Sequence, residues 1–276
     1  MDNPIAMEAC WKEWDNLENK RVFRYETLTE WSEVSRAAIA ADQEIHFGFL
    51  FGFMVEKGAE FEPGDPRRKF KYRIVFRGND VKDQNWEVAL FQEMASTPTT
   101  LEAARYCDFV ACLPGNGVDG RDVEQAYLQA DMKGAKTYIQ LPKEMWTPEM
   151  HQMKCPVVLL EKALYGHKNS GAYWQDFYDK QCKNAGLLPF SENWPCVYWN
   201  SGLELMLIVY VDDMKMAGPK KNMAKAWEDL GKGIHLVKPA GDTDGVHNFL
   251  GCEHKKEDRI INGKEVTTMT WDASHS

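Results

Sequence analysis

No stretch of this chain approaches the ~20 consecutive apolar residues that a membrane-spanning helix needs. The opening Met1-Asp2-Asn3-Pro4 carries an acid where a secretory signal would carry an apolar core. No Cys-x-x-Cys occurs, and His and Cys never fall at zinc-knuckle spacing. The seven cysteines (Cys10, Cys107, Cys112, Cys155, Cys182, Cys196 and Cys252) are odd in number and scattered. These absences argue against a membrane span, a disulfide scaffold and a zinc ribbon, and for reduced thiols in an intracellular protein. Internal repeats and low-complexity tracts are also missing. So is an overall basic charge: the net value of −9 excludes a uniformly positive surface.

The charge is unevenly spread. Residues 1–62 hold 13 acids against 6 bases, whereas the rest of the chain is close to balanced. From Arg67 to Lys82 there are seven bases and one acid. A local basic footprint of this kind is expected where one face of a protein meets phosphates. At 276 residues, 44% hydrophobic and 12% aromatic, with ten tryptophans, the chain can bury one large core or two smaller ones.

Periodicity places the elements. Met7, Trp11, Trp14 and Leu17 step by three or four and predict an amphipathic helix. Thr27-Leu28-Thr29-Glu30 has capping-box spacing, so Leu28, Trp31 and Val34 are expected on a second helix. His46 to Val55 reads as a strand interrupted by Gly48 and Gly52, and Glu62 to Pro66 as a turn or linker. Phe70, Tyr72, Ile74 and Phe76 alternate with Lys71, Arg73, Val75 and Arg77, the period-two mark of a half-buried strand. A second capping box, Thr99 to Glu102, opens a helix to about Leu113. Val118 to Leu128 is expected as a strand turning into a helix or loop, Val157 to Leu160 as a strand and Ser170 to Ala185 as a helix. Asn222 to Gly231 is a further helix, Asn248 to Glu253 one short strand, and Asp258 to Ser276 a polar tail. The order is mixed α+β without a regular βαβ series.

The chemistry concentrates in Leu203 to Asp213, where an apolar run ends in Tyr210-Val211-Asp212-Asp213. Burying a strand does not call for two acids at its tip, and an unpaired buried carboxylate is costly. Met214 to Gly218 alternates again, so a hairpin with the acids at its bend is expected. Two carboxylates presented this way suit a hard cation such as Mg²⁺. A solvated Asp-Asp turn is the plainer alternative. A two-metal site needs a carboxylate from a second element, to hold cations about 3.5–4 Å apart. Asp122, at the end of the strand beginning at Val118, is the best candidate; alone it would read as a helix N-cap.

Five blocks, in order, resemble the reverse transcriptase domain of copia-type LTR retrotransposons, over about residues 6 to 255. They are Lys71-Tyr72-Arg73-Ile74-Val75-Phe76-Arg77-Gly78; Asp122-Val123-Glu124-Gln125-Ala126-Tyr127-Leu128; Lys162-Ala163-Leu164-Tyr165-Gly166-His167-Lys168 with Trp174 downstream; Tyr210-Val211-Asp212-Asp213; and Asn248-Phe249-Leu250-Gly251. The resemblance implies a right-hand polymerase fold: residues 1–62 a leader packing on the fingers, 63–117 fingers, 118–255 a palm with an antiparallel sheet backed by helices, and 256–276 a polar tail. The thumb is expected to be short or missing. The resemblance implies RNA-directed DNA polymerase activity with two Mg²⁺ ions (Mn²⁺ as substitute). Asp122 and Asp212 would hold the metals, Asp213 would support them, and Val123 would lend its carbonyl. Lys71, Arg73, Arg77, Tyr165 and Gly166 would contact the incoming deoxynucleotide, with Tyr127 as the steric gate against a ribose 2′-OH. Phe249, Leu250 and Gly251 would form the primer grip. Implied partners are an RNA or DNA template, a DNA or tRNA primer, deoxynucleotides, and a dimer mate or polyprotein neighbours such as RNase H and integrase, with no membrane. The implied location is a cytoplasmic particle or the nucleus.

The chain departs from the family's pattern at His167 and Asn169, where Leu and Gln are usual, and at Ala172, where Arg is frequent. Two other readings stay open: a truncated, non-catalytic nucleic-acid-binding remnant of a retrotransposon polyprotein, and a folded but idle protein.

Overall fold

A computed structural model describes residues 3–62, 64–91, 99–237 and 246–273. In chain order its elements are α1 (Pro4–Asn19), β1 (Phe23–Glu30), α2 (Trp31–Ala40), β2 (Ile45–Lys57), β3 (Lys69–Phe76), β4 (Lys82–Asp83), α3 (Leu101–Cys112), β5 (Asn116–Asp122), β6 (Lys136–Gln140), β7 (Pro156–Leu160), α4 (Ser170–Asn184), β8 (Leu188–Ser191), β9 (Trp194–Asn200), β10 (Leu205–Tyr210), β11 (Asp213–Pro219), α5 (Lys220–Gly231), β12 (Val246–Phe249), β13 (Cys252–Ile261) and β14 (Lys264–Asp272). The mixed α+β class is as expected. Two compact units divide the chain: Met1–Met94 with Ala130–Trp174, and Ala95–Gln129 with Gln175–Ser276.

The first unit is built on a sheet in the order β1-β7-β6-β2-β3, with β4 beside β2. Among its described strands only β2 and β6 run parallel. Gly48 and Gly52 do not interrupt β2. A side chain at either would strike the Phe76 ring (2.4 Å) or the Tyr72 hydroxyl (1.9 Å), so these glycines let the aromatics of β3 lie flat across the strand. The period-two reading of β3 holds: Ile74 and Phe76 are buried, Lys71 and Arg73 are half-buried, and Arg77 is exposed. Helix α1 is capped by Asn3, whose side chain accepts from Ile5 N–H at 3.0 Å. Its buried stripe is narrower than expected: Trp14 and Leu17 are covered, while Trp11 is exposed.

Thr27-Leu28-Thr29-Glu30 caps no helix. These residues finish β1, and α2 begins only at Trp31. The Thr27 hydroxyl donates to Arg24 O (2.6 Å) and accepts from Leu159 N–H (2.8 Å), at an irregularity in the β1–β7 pairing. The Glu30 carboxylate accepts from the N–H groups of Lys154 and Cys155. Partners distant in sequence took up the groups that a local cap would have used.

In the second unit an all-antiparallel sheet runs β5-β11-β10-β9-β8. Its centre is β10, buried from Leu205 to Val209, as its apolar run requires. Helix α3 lays Ala103, Ala104, Cys107, Val110 and Ala111 against Met206, Ile208 and Ala217. Its cap is Thr100, accepting from Ala103 N–H, and not Thr99, whose hydroxyl donates to Val209 O. Helix α5 buries Met223, Ala226, Trp227 and Leu230.

A separate sheet, β12-β13-β14, replaces two expectations. Asn248 to Glu253 is not one strand, because Leu250 and Gly251 (φ +54° and +73°) turn the chain between β12 and β13. The stretch from Asp258 is not a loose tail up to Asp272, because Asn262-Gly263 (φ +51° and +76°) closes a β13–β14 hairpin. Asn-Gly is the strongest short-range signal for such a turn and was present in the sequence. All seven cysteines are free thiols. Among the described residues no helix is long and apolar enough to cross a membrane.

Candidate active site

The acids meet where β10 turns into β11. Tyr210 pairs with Asp213, leaving Val211-Asp212 as a two-residue turn. Val211 sits at φ +53°, a position that usually takes glycine in such turns and costs a β-branched residue about 1–3 kcal/mol. On its other edge β11 pairs with β5, and the register sets Asp213 opposite Asp122. Their side chains are hydrogen-bonded to each other. Asp213 is half-buried, and Asp122 and Asp212 are exposed. Burial first, then the charges of Asp212 and Asp122, push the Asp213 carboxyl up to about 6. Three acids more than 90 positions apart at their extremes thus act on one another at one end of a single sheet.

Val123 is held from both sides. Its N–H donates to Asp212 O at 2.5 Å, while the Glu124 N–H to His235 O and Val237 N–H to Asp122 O bonds bridge it to Leu236. Because N–H and C=O of one strand residue face the same way, its carbonyl is turned to the side that carries Asp212. Tyr127 lies on a short 3₁₀ turn between the buried Ala126 and Leu128, and is itself half-buried. Burial, then Asp212 and Tyr210, raise its phenol above the ordinary range, so its ring stands within the field of the acids. Phe249 is buried against Met206, Ile208 and Ala217, and Leu250 packs on the same cluster.

Lys71, Arg73, Arg77, Tyr165 and Gly166 all belong to the first unit. The Arg73 guanidinium stands 5.7 Å from the Tyr165 ring centroid. Tyr165 O accepts from Phe76 N–H at 2.7 Å. Gly166 (φ +89°) must be glycine, since a side chain would meet Phe76 O at 2.1 Å. Glu13 of α1 faces this basic strand: burial raises its carboxyl, against the pull of Arg73, Lys71 and Lys20.

The sequence reading missed one buried cluster in the second unit. Lys215 on β11 is fully buried and ion-paired with Asp108 of α3. His254 and Trp271 complete it. The available signal was a lysine between Met214 and Met216, on a strand whose alternation would otherwise be apolar on both faces.

Carboxylate oxygens and a backbone carbonyl make a donor set that fits a hard divalent cation, and three mutually repelling acids are relieved by one. Among the described residues, no group of three or more His, Cys, Asp or Glu side chains closes into a metal cluster. What is present is a hydrogen-bonded pair with a third acid in its field.

His167, where the sequence departs from the family's pattern, is buried and kept neutral. Burial, then the charge of His46, push it down to about 4. Its Nδ1 accepts from Asn169 N–H at 3.3 Å, which leaves the proton on Nε2, an atom without a hydrogen-bond partner among the described residues. An unpaired buried donor costs about 1–3 kcal/mol, so His167→Leu is expected to stabilise the fold by about 1 kcal/mol at pH 7. Because the folded-state value lies below the unfolded one, the wild type loses stability as pH falls from about 6.5 towards 4 and the variant does not. Urea denaturation at pH 7 and pH 5 should show the gap widen by roughly 2 kcal/mol; a constant gap would refute the assignment.

Comparisons agree with the blocks read from the sequence. The family described as reverse transcriptase (RNA-dependent DNA polymerase) matches residues 64–268. The retrovirus-related Pol polyprotein from transposon TNT 1-94 of Nicotiana tabacum is 28% identical over 68% of this chain and 14% of its own length. The transposon Ty1-DR1 Gag-Pol polyprotein of Saccharomyces cerevisiae is 32% identical over 49% of this chain and 7% of its own. The chain therefore spans only a small part of these relatives. A foamy viral protease-reverse transcriptase solved with double-stranded DNA covers 78% of this chain and 32% of its own at 13% identity, with a TM-score of 0.36, too low to bear on the argument. On the family match and the transposon relatives, the chain belongs to the reverse transcriptase (RNA-dependent DNA polymerase) family, in its copia-type retrotransposon branch.

Proposed function

We propose that this chain is the fingers and palm of an RNA-directed DNA polymerase, extending a primer with deoxynucleotides on an RNA or DNA template. The observation that carries the reading is the Asp122, Asp212 and Asp213 cluster, drawn from two paired strands and a tight turn, with Asp213 pushed up to about 6. Asp122, Asp212, Asp213 and the Val123 carbonyl would hold two Mg²⁺ ions, with Mn²⁺ as a substitute. Bound there, the ions would acidify the primer 3′-OH and neutralise charge on the phosphates. Tyr127, beside Asp212, would close the space a ribose 2′-OH needs. Lys71, Arg73 and Arg77 would grip the triphosphate, Tyr165 and Gly166 would flank the nucleotide, and Phe249, Leu250 and Gly251 would seat the primer end.

The test is primer extension on an RNA template with Mg²⁺ and deoxynucleotides, wild type beside Asp212→Asn. Extension by the wild type alone is expected. Salt-sensitive primer–template binding without extension by either would identify a non-catalytic nucleic-acid-binding protein instead. Thermal unfolding gives an independent reading of the cation site. Mg²⁺ at a hundred times its Kd should add about 2.7 kcal/mol to the wild type and clearly less to Asp213→Asn. Equal shifts in both proteins would remove Asp213 from the site.

A further inference from the structure

The second unit holds a buried ionic cluster that the proposed chemistry does not use. Lys215, Asp108 and His254 are 0%, 1% and 3% exposed. The Lys215 ammonium is ion-paired with Asp108 Oδ1 and lies 3.0 Å from His254 Nδ1. His254 Nδ1 is 3.0 Å from Asp108 Oδ2, which also accepts from Trp271 Nε1–H at 2.9 Å. The far side of the ring reaches the turn: His254 Nε2 stands 3.2 Å from Phe249 O. A carbonyl oxygen only accepts, so the ring donates its Nε2–H to Phe249 O. Lys215 Nζ also stands 5.4 Å from the centroid of the Phe249 ring.

These contacts join β11, α3 and the β13–β14 hairpin, three parts that no backbone pairing links among the described residues. Lys215 is two residues beyond Asp213 on β11, and the alternation of a strand puts both on one face. Asp108 belongs to α3, and His254 and Trp271 to β13 and β14. Among the described residues, the β12-β13-β14 sheet shares no strand pairing with the sheet that carries the acids. Apolar packing alone could hold one sheet on the other, but it is non-directional and tolerates sliding. A lysine, a carboxylate and an imidazole bonded in fixed directions do not, and buried polar contacts of this kind are best attested as devices that set register.

We propose that Asp108, Lys215 and His254 are positioning residues that fix the Phe249-Leu250-Gly251 turn relative to the carboxylate strand, and so place the primer end. The inference rests on the proposed polymerase reading and on that turn seating the primer. Its test uses the triple variant Asp108→Leu, Lys215→Met, His254→Leu. Replacing a whole buried ionic group by apolar residues of similar volume is often neutral for stability, and Trp271, half exposed, can give its N–H to water. Two quantities are measured beside the melting temperature: the KM values for primer–template and deoxynucleotide, and amide exchange at Phe249 and Cys252 in the free protein.

Expected is an unchanged melting temperature, a KM for primer–template raised about tenfold with the deoxynucleotide KM little changed, and turn amides exchanging about tenfold faster. A stable triple variant with wild-type KM and wild-type exchange would overturn the proposal. If the wild type extends no primer, the polymerase reading fails, while the exchange measurement still decides whether this network fixes the turn. If the triple variant does not fold, His254→Gln and His254→Leu take its place. The glutamine amide can still donate to Phe249 O and should keep both quantities near wild type; the leucine should not, and equal behaviour of the two refutes the role.

Discussion

Asp122→Asn is expected to lower primer extension about a thousandfold, equivalent to ~4 kcal/mol of transition-state stabilisation, while making the protein more stable at neutral pH. The two effects have one origin. Asp122 is hydrogen-bonded to Asp213 and repels its charge, which helps to hold the Asp213 carboxyl up at about 6. A group whose folded-state value exceeds its unfolded value stabilises the fold fully below the unfolded value, near 3.8, and that contribution is lost as pH rises through about 6. At pH 7 the cluster is therefore a liability of at most roughly 3 kcal/mol, discounted to about 1–2 kcal/mol because Asp213 is only half-buried. Asparagine keeps the shape of Asp122 and removes one charge. It should recover up to about 1 kcal/mol and flatten the stability–pH curve between pH 4 and 7. Activity assays and thermal melts on one preparation check both halves. Lost activity with lost stability would mean that Asp122 serves the fold and not the chemistry, since a site that trades stability for function must show opposite signs.

Asp108→Ala is expected to be the most destabilising single change outside the apolar core, at roughly 3–5 kcal/mol. It strands the Lys215 ammonium, fully buried, with His254 and no carboxylate. Burial alone would raise the Asp108 carboxyl, but His254, Lys215 and Trp271 together hold it below the ordinary range. Its stabilising share is therefore present at neutral pH and is lost only as pH falls through that lowered value. Against a total stability of about 5–15 kcal/mol, the loss is a large fraction. Chemical denaturation is the measurement. A cost below about 1 kcal/mol would mean that Lys215 reaches water once Asp108 is gone, contrary to its complete burial.

Local regularities were legible in the sequence. The alternation in β3, the apolar run of β10 and the helical stretches of α3, α4 and α5 are set by a period of two or 3.6, which a few adjacent residues suffice to show. The same holds for the acids: Asp212 and Asp213 end an apolar run, and Asp122 ends its own strand, so each could be singled out before the sheet joined them. Where sequence misled, a local pattern had two uses. Thr27 to Glu30 has the spacing of a cap, yet its hydroxyl and carboxylate serve residues more than 120 positions away. Gly48 and Gly52 looked like breaks until Phe76 and Tyr72 were found lying over them.

The sequence by itself determined which residues could be inside, where strands and helices form, and which carboxylates could bind a cation, because these follow from hydrophobic period and side-chain chemistry. Tertiary structure alone decided that Asp122 faces Asp213 across a strand pair, that Phe249-Leu250-Gly251 is a turn, and that Lys215 is buried against Asp108 and His254. Those partners lie 107 and 39 positions from Lys215. A charge has no period, and whether it is solvated or buried is settled only by what the rest of the chain packs around it.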